Sequence, residues 1–250
     1  MNISVEMLEI IGPALVAGLM IAFTHAPLGI EVLKRGIIFI DLAVAQFAGL
    51  GLVTTKVLIH EPSSGVIQGT ALASAIFAGW FFLKIERALP EYQEAIIGCS
   101  FVLSASLSIL LLADHPHGGE EIQHLLSGQM LFVTWLNVLN HAPIYLLITA
   151  LWFTKLSIRN GIGFYLLFAL AITSSVQLVG IYVVFASLIL PALAAVKTTY
   201  PHMTAWSCSI VAVASGIIVA TITDLPVGPI IVLSYVMNVV IFCIFQIKNK

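Results

Sequence analysis

Residues 114–124 read DHPHGGEEIQH and place three histidines and three carboxylates within eleven positions. Imidazole and carboxylate together suit zinc, manganese or ferrous iron. The candidate ligands are His115, His117, Glu120, Glu121 and His124. Gly118 and Gly119 let the chain turn back on itself, and a helix starting near Glu120 puts Glu120 and His124 on one face. The alternative is a solvated polar loop capping an apolar segment. A second candidate is Asp41, in RGIIFIDLAVAQFAGLG, with Gln46 five residues on. A carboxylate about one and a half turns inside an apolar helix is costly and marks a site by default. His25 lies in the preceding apolar run and reaches a similar depth in an antiparallel hairpin. The two either share a polar site or make separate packing hydrogen bonds. His141, before Pro143, either lines a path or bonds a carbonyl freed by the proline.

The elements that must hold these residues are unusual in composition. The 250-residue chain is 60% hydrophobic and 9% charged, with mean hydropathy +1.09. Soluble domains carry about 25% charged residues, and so little charge in water would leave large exposed apolar patches. Apolar runs cover approximately 8–32, 37–59, 66–85, 95–113, 130–154, 161–196, 203–222 and 225–247. They are continuous rather than alternating, which excludes a β-barrel and predicts helices. The expected fold class is all-α: a polytopic transmembrane helix bundle of about eight to nine spans, forming one domain over residues 1–250.

The uncharged stretch 161–196 measures roughly 54 Å as one helix, against a hydrocarbon core of about 30 Å. It must fold back or re-enter, with Gly180 and Pro191 as break points. Counting it twice puts Lys34, Arg35, Lys84, Arg87, Lys155, Arg159, Lys197, Lys248 and Lys250 on one side. Only Lys56 is left near the other. This positive-inside pattern predicts an inner (plasma) membrane, with the N-terminus outside and the C-terminus cytoplasmic. Glu6, Glu9, His60, Glu61, Asp224 and the 114–124 loop then fall outside.

Several function classes drop out. There is no basic stripe for nucleic acid and no GxxxxGK[ST] phosphate loop. HExxH and GxSxG are absent, so the chain is not expected to be an enzyme. No tightly bound cofactor is expected. Cys99, Cys208 and Cys243 sit in apolar runs without ligand spacing and read as packing residues.

Five segments together resemble one family. LKRGIIFIDLAVAQFAGLG, EYQEAIIGCSFVLSAS, HLLSGQML, VGIYVVFASLILPALAA and TDLPVGPIIVLSYV are similar, in order, to segments of the ABC-3 permeases, the membrane subunits of zinc and manganese ABC importers. The resemblance runs from about residue 30 to the C-terminus and implies an ABC-3, BtuC-like permease fold. It also implies a homodimeric channel in membrane lipid, a separate ATP-binding subunit and an extracytoplasmic metal-binding protein. The implied cargo is a divalent metal, zinc first with manganese or iron behind it, and the resemblance carries the family's intramembrane acidic residue over to Asp41.

Two positions depart from the family pattern. Ala45 stands where a histidine commonly follows the aspartate by four residues. Only FTKLSIRNG, residues 153–161, occupies the stretch that docks on the ATPase. The second departure keeps another class open: a permease-like protein without ATP coupling, acting as a channel, secondary carrier or scaffold partner.

Overall fold

Backbone amides in hydrocarbon must be satisfied within their own segment, and the apolar runs meet this demand as helices. The computed structural model describes residues 5–115, 117–128 and 130–248. Lys250 and the side chains of Glu6 and Lys248 lie outside the described residues. The α-helices, in chain order, are α1 Val5–Arg35, α2 Ile40–Leu58, α3 Ser64–Ala88, α4 Gln93–Leu112 and α5 Gly118–Ser127. They continue with α6 Trp135–Thr154, α7 Ile162–Val179, α8 Ile181–Ala195, α9 Pro201–Thr223 and α10 Val227–Lys248. No strand occurs among the described residues.

Local sequence accounts for several boundaries. Ser63 caps α3, its hydroxyl accepting from the Val66 amide at 3.4 Å. Thr134 and Asn137 form a reciprocal capping box at the start of α6, so this span begins at Trp135 rather than at residue 130. Met130–Phe132 forms a separate 3-10 turn.

Among the described residues, eight helices are long and apolar enough to cross a membrane: α1 to α4, α6, α7, α9 and α10. Helix α8 is apolar but has 15 residues, about 22 Å of rise against a core of about 30 Å. The 161–196 stretch therefore divides into one full span and one short helix. The division falls at Gly180, while Pro191 lies inside α8 without ending it. One imidazole demonstrates the reversal. His25 Nδ1 meets Ser187 Oγ at 2.7 Å and its Nε2 meets Ser175 Oγ at 2.9 Å. In a single straight helix those serines would stand about 18 Å apart.

Gly180 has φ +78° and ψ 166°, a backbone region open essentially to glycine alone. A Cβ there would stand 2.3 Å from the Gly128 amide nitrogen. The end of α5 is thus seated directly against the α7–α8 reversal.

Helix α2 packs between α3 and α4, α1 against α8 and α9, and α10 against α9 and α8. Helix α7 is the most enclosed of the crossing helices, whereas α4, α6 and α10 are the least covered by the rest of the chain.

At one end Arg35 joins several elements. Its Nε pairs with Glu31 at 3.0 Å and its Nη1 with Glu86 at 3.7 Å. Its Nη2 donates to the Arg159 carbonyl, and its guanidinium lies 4.0 Å from the centre of the Phe164 ring. Tyr165 donates to Glu86 and accepts from Gln93. The α6–α7 connection, with its 3-10 turn Leu156–Arg159, is pinned to this end of the bundle. Three of the basic clusters counted in the sequence therefore share an end.

Candidate functional site

Asp41 lies in the first turn of α2 with no exposed surface. Neither carboxylate oxygen has a side-chain partner among the described residues; the backbone amides of Asp41 and Leu42 at the helix start are what face them. The free amides of a helix start favour a negative charge there, but burial without a partner remains costly. Glu94, in the first turn of α4, approaches from the neighbouring helix. Its Oε1 accepts from the Phe39 amide at 3.2 Å, and its Oε2 is buried without a partner. Two helix starts thus bring two carboxylates to one place, each met by backbone amides of the α2 start. Glu94 stands in a segment quoted above, yet only the packing of α2 against α4 identifies it as the neighbour of Asp41.

His25 is not joined to Asp41. Both its ring nitrogens are engaged by the serines of α7 and α8, and the ring is fully buried. Tyr145 extends the network, its hydroxyl lying 2.9 Å from Ser175 Oγ. His141 Nδ1 meets Ser174 Oγ at 2.7 Å. These contacts tie α1, α6, α7 and α8 together in the middle of the bundle.

At the opposite end, α5 carries Glu120 and Glu121 in its first turn and His124 in its last. His117 Nδ1 stands 3.4 Å from Glu120 Oε2. His115, His117, Glu120 and His124 are exposed. Glu121 is gripped by Lys56 of α2, whose ammonium is 2.7 Å from each carboxylate oxygen. The chain thus sets Glu120 beside His117, while Glu121 and His124 line one small cavity. Among the described residues, no group of three or more His, Cys, Asp or Glu side chains converges as a metal centre.

Between the two ends lies a half-open cavity of about 840 Å³, bordered by α2, α4, α5, α8 and α10. Its wall is mostly apolar, including Leu42, Phe101, Leu125 and Phe185, with Gln46 and Ser108 among its few polar groups. Leu42 and Gln46 of α2 line one side of this cavity, which extends to α5.

The model of the ABC 3 transport family matches residues 7–160 and 155–246. The chain belongs to this family. The two matched pieces meet at 155–160, which is the short α6–α7 connection. No curated protein matches the chain.

Among solved structures, this ABC 3 family protein resembles PsaBC from Streptococcus pneumoniae in complex with Fab. The TM-score is 0.74 at 16% identity, over 93% of this chain and 90% of that one. It also resembles an inward-facing conformation of a transporter assigned to the metal-chelate type of ABC transporter. There the TM-score is 0.67 at 15% identity, over 99% of this chain and 90% of that one. Identities this low speak to the fold. Family membership and the crossing helices together make the chain a multi-pass ABC permease subunit.

Proposed function

We propose that this permease subunit translocates a divalent metal ion, zinc first and manganese or iron next, powered by a separate ATPase subunit. The observation that carries the reading is Asp41, a fully buried carboxyl group with no side-chain partner among the described residues, at the start of a membrane helix. A carboxyl group kept without a counter-charge in that setting suits a positive cargo, and Glu94 beside it adds oxygen donors suited to a divalent cation. The metal-chelate assignment of the second structural neighbour points the same way.

In this reading the cargo arrives from an extracytoplasmic binding protein at His115, His117, Glu120, Glu121 and His124. It moves along the half-open cavity, whose missing wall a second copy of the chain supplies. It leaves past Asp41 and Glu94, which the transport cycle uncovers together. The N-terminus lies outside and the C-terminus in the cytoplasm, with α8 as a short ninth crossing whose end packs beside Ala26, Ile30 and Leu33 of α1, and the whole of 1–250 works as one unit. His25, with both nitrogens engaged, holds helices together rather than holding metal.

Zinc accumulation by metal-limited cells tests this proposal. Asp41→Ala abolishes accumulation while the chain still inserts at wild-type levels; a fully active variant would leave Asp41 a packing role only.

One observation favours a second reading, a permease fold working without ATP. The 155–160 connection, where the family match divides, leaves a 3-10 turn of four residues as docking surface. Co-purification from native membranes separates the readings: an associated ATPase supports the first, and a stable complex lacking one supports the second.

A further inference from the structure

Lys56 is the one basic residue that the charge count leaves at the outer mouth, and the structure gives it a place. A cavity of about 200 Å³ opens between α2, α5 and α7. It has room for several waters, each taking about 30 Å³. Three helices supply its polar lining. Glu121 and His124 stand at i, i+3 on α5, Thr173 and Gln177 at i, i+4 on α7, and Lys56 in the last turn of α2. Thr173 is 4% exposed, and its hydroxyl has no hydrogen-bond partner among the described residues. A buried hydroxyl in a polar cavity asks for a ligand or water.

The carboxylate, the imidazole and the amide and hydroxyl oxygens form a donor set for a hydrated divalent cation. The Lys56 ammonium already occupies its anionic member, 2.7 Å from both oxygens of Glu121. Both partners are more than one-third exposed, at 37% and 36%. Ion pairs of this kind are weak and exchangeable.

We propose that this cavity is a cation entry site whose resting occupant is the Lys56 ammonium, a tethered counter-ion that an incoming divalent metal must displace. A metal ion and a lysine ammonium repel each other on one carboxylate, so binding swings Lys56 out to water. Glu121 is then never a bare anion at rest, and the site binds loosely enough to pass its ion on. The inference rests on the cation-permease reading and adds a selection step at its mouth.

Amine labelling of the wild-type chain in lipid nanodiscs tests the displacement without any variant. The probe is zinc chloride, with magnesium chloride as control, and the exposed Lys84 is the internal reference. Zinc is expected to raise the acetylation rate of Lys56 relative to Lys84, read by peptide mass. An unchanged or lowered ratio overturns the proposal. Lys56→Met is expected to tighten zinc binding about tenfold by removing the competing charge, and Thr173→Val in that background to weaken it again. Equal or weaker binding by Lys56→Met also overturns it.

The two readings fail separately. Asp41-dependent zinc accumulation with no Lys56 response removes the entry site alone. A Lys56 response with a fully active Asp41→Ala variant removes Asp41 from the path and leaves the entry site standing.

Discussion

Two ionisable side chains, Asp41 and His25, are equally buried and opposite in circumstance. His25 has a serine on each ring nitrogen, whereas both oxygens of Asp41 lack side-chain partners among the described residues. The first arrangement is a fastening; the second holds free energy that a bound cation would release. His25→Ala removes two interhelical hydrogen bonds and opens a hole, but Ser175 and Ser187 keep bonds to the carbonyls of Ala171 and Val184. The expected loss is about 2–3 kcal/mol of stability in mixed-micelle unfolding, with transport per folded molecule retained. Loss of transport at unchanged stability would instead give His25 a ligand's role. The residue types were legible in the sequence, and so was the cost of burying them. Their partners were not, because Ser175 and Ser187 stand 150 and 162 positions away from His25.

At the scale of elements, the α7–α8 reversal organises the centre of the bundle. The 161–196 stretch was too long for one crossing, so a break was legible. Gly180 and Pro191 were equal choices on sequence grounds. Packing decided between them: Gly180 adopts a positive φ and faces the backbone of Gly128, an approach that no longer side chain permits. Gly180→Ala combines backbone strain with a clash, and is expected to cost about 3–5 kcal/mol. Gly98, within α4, has open space around a built Cβ. Gly98→Ala should be neutral or stabilising by up to about 1 kcal/mol. Unfolding of the two variants side by side checks this, and equal losses would remove the reversal's special status. Helix α5 teaches the same point more gently. A helix near Glu120 was legible from DHPHGGEEIQH, but the contact between Glu121 and Lys56 spans 65 positions.

The whole molecule is polarised end to end. Arg35, Glu86 and Arg159 gather at one end, and the α5 mouth with Lys56 lies at the other. Charge bias predicts that the Arg35 end is cytoplasmic. In a chain with Cys99, Cys208 and Cys243 replaced, Gly119→Cys should react with a membrane-impermeant thiol reagent in intact cells. Ser157→Cys should react only after the cells are opened. The opposite pattern would reverse the proposed orientation, and equal reaction of both in intact cells would refute the end-to-end separation itself. The same polarity places any ATPase contact at the end where the α6–α7 connection is held by Arg35.

Sequence alone determined that the chain dissolves in lipid as helices, because hydrocarbon admits no other use for runs so long and so uncharged. It also determined the basic and acidic ends and the family to which the segments point. Tertiary structure decided which buried polar groups are satisfied, where the long apolar stretch turns, and what Lys56 touches. The physical reason is range. Hydropathy and charge bias act between a residue and its solvent and can be summed along the chain. Hydrogen bonds and close glycine contacts act between surfaces that meet only once the bundle has closed.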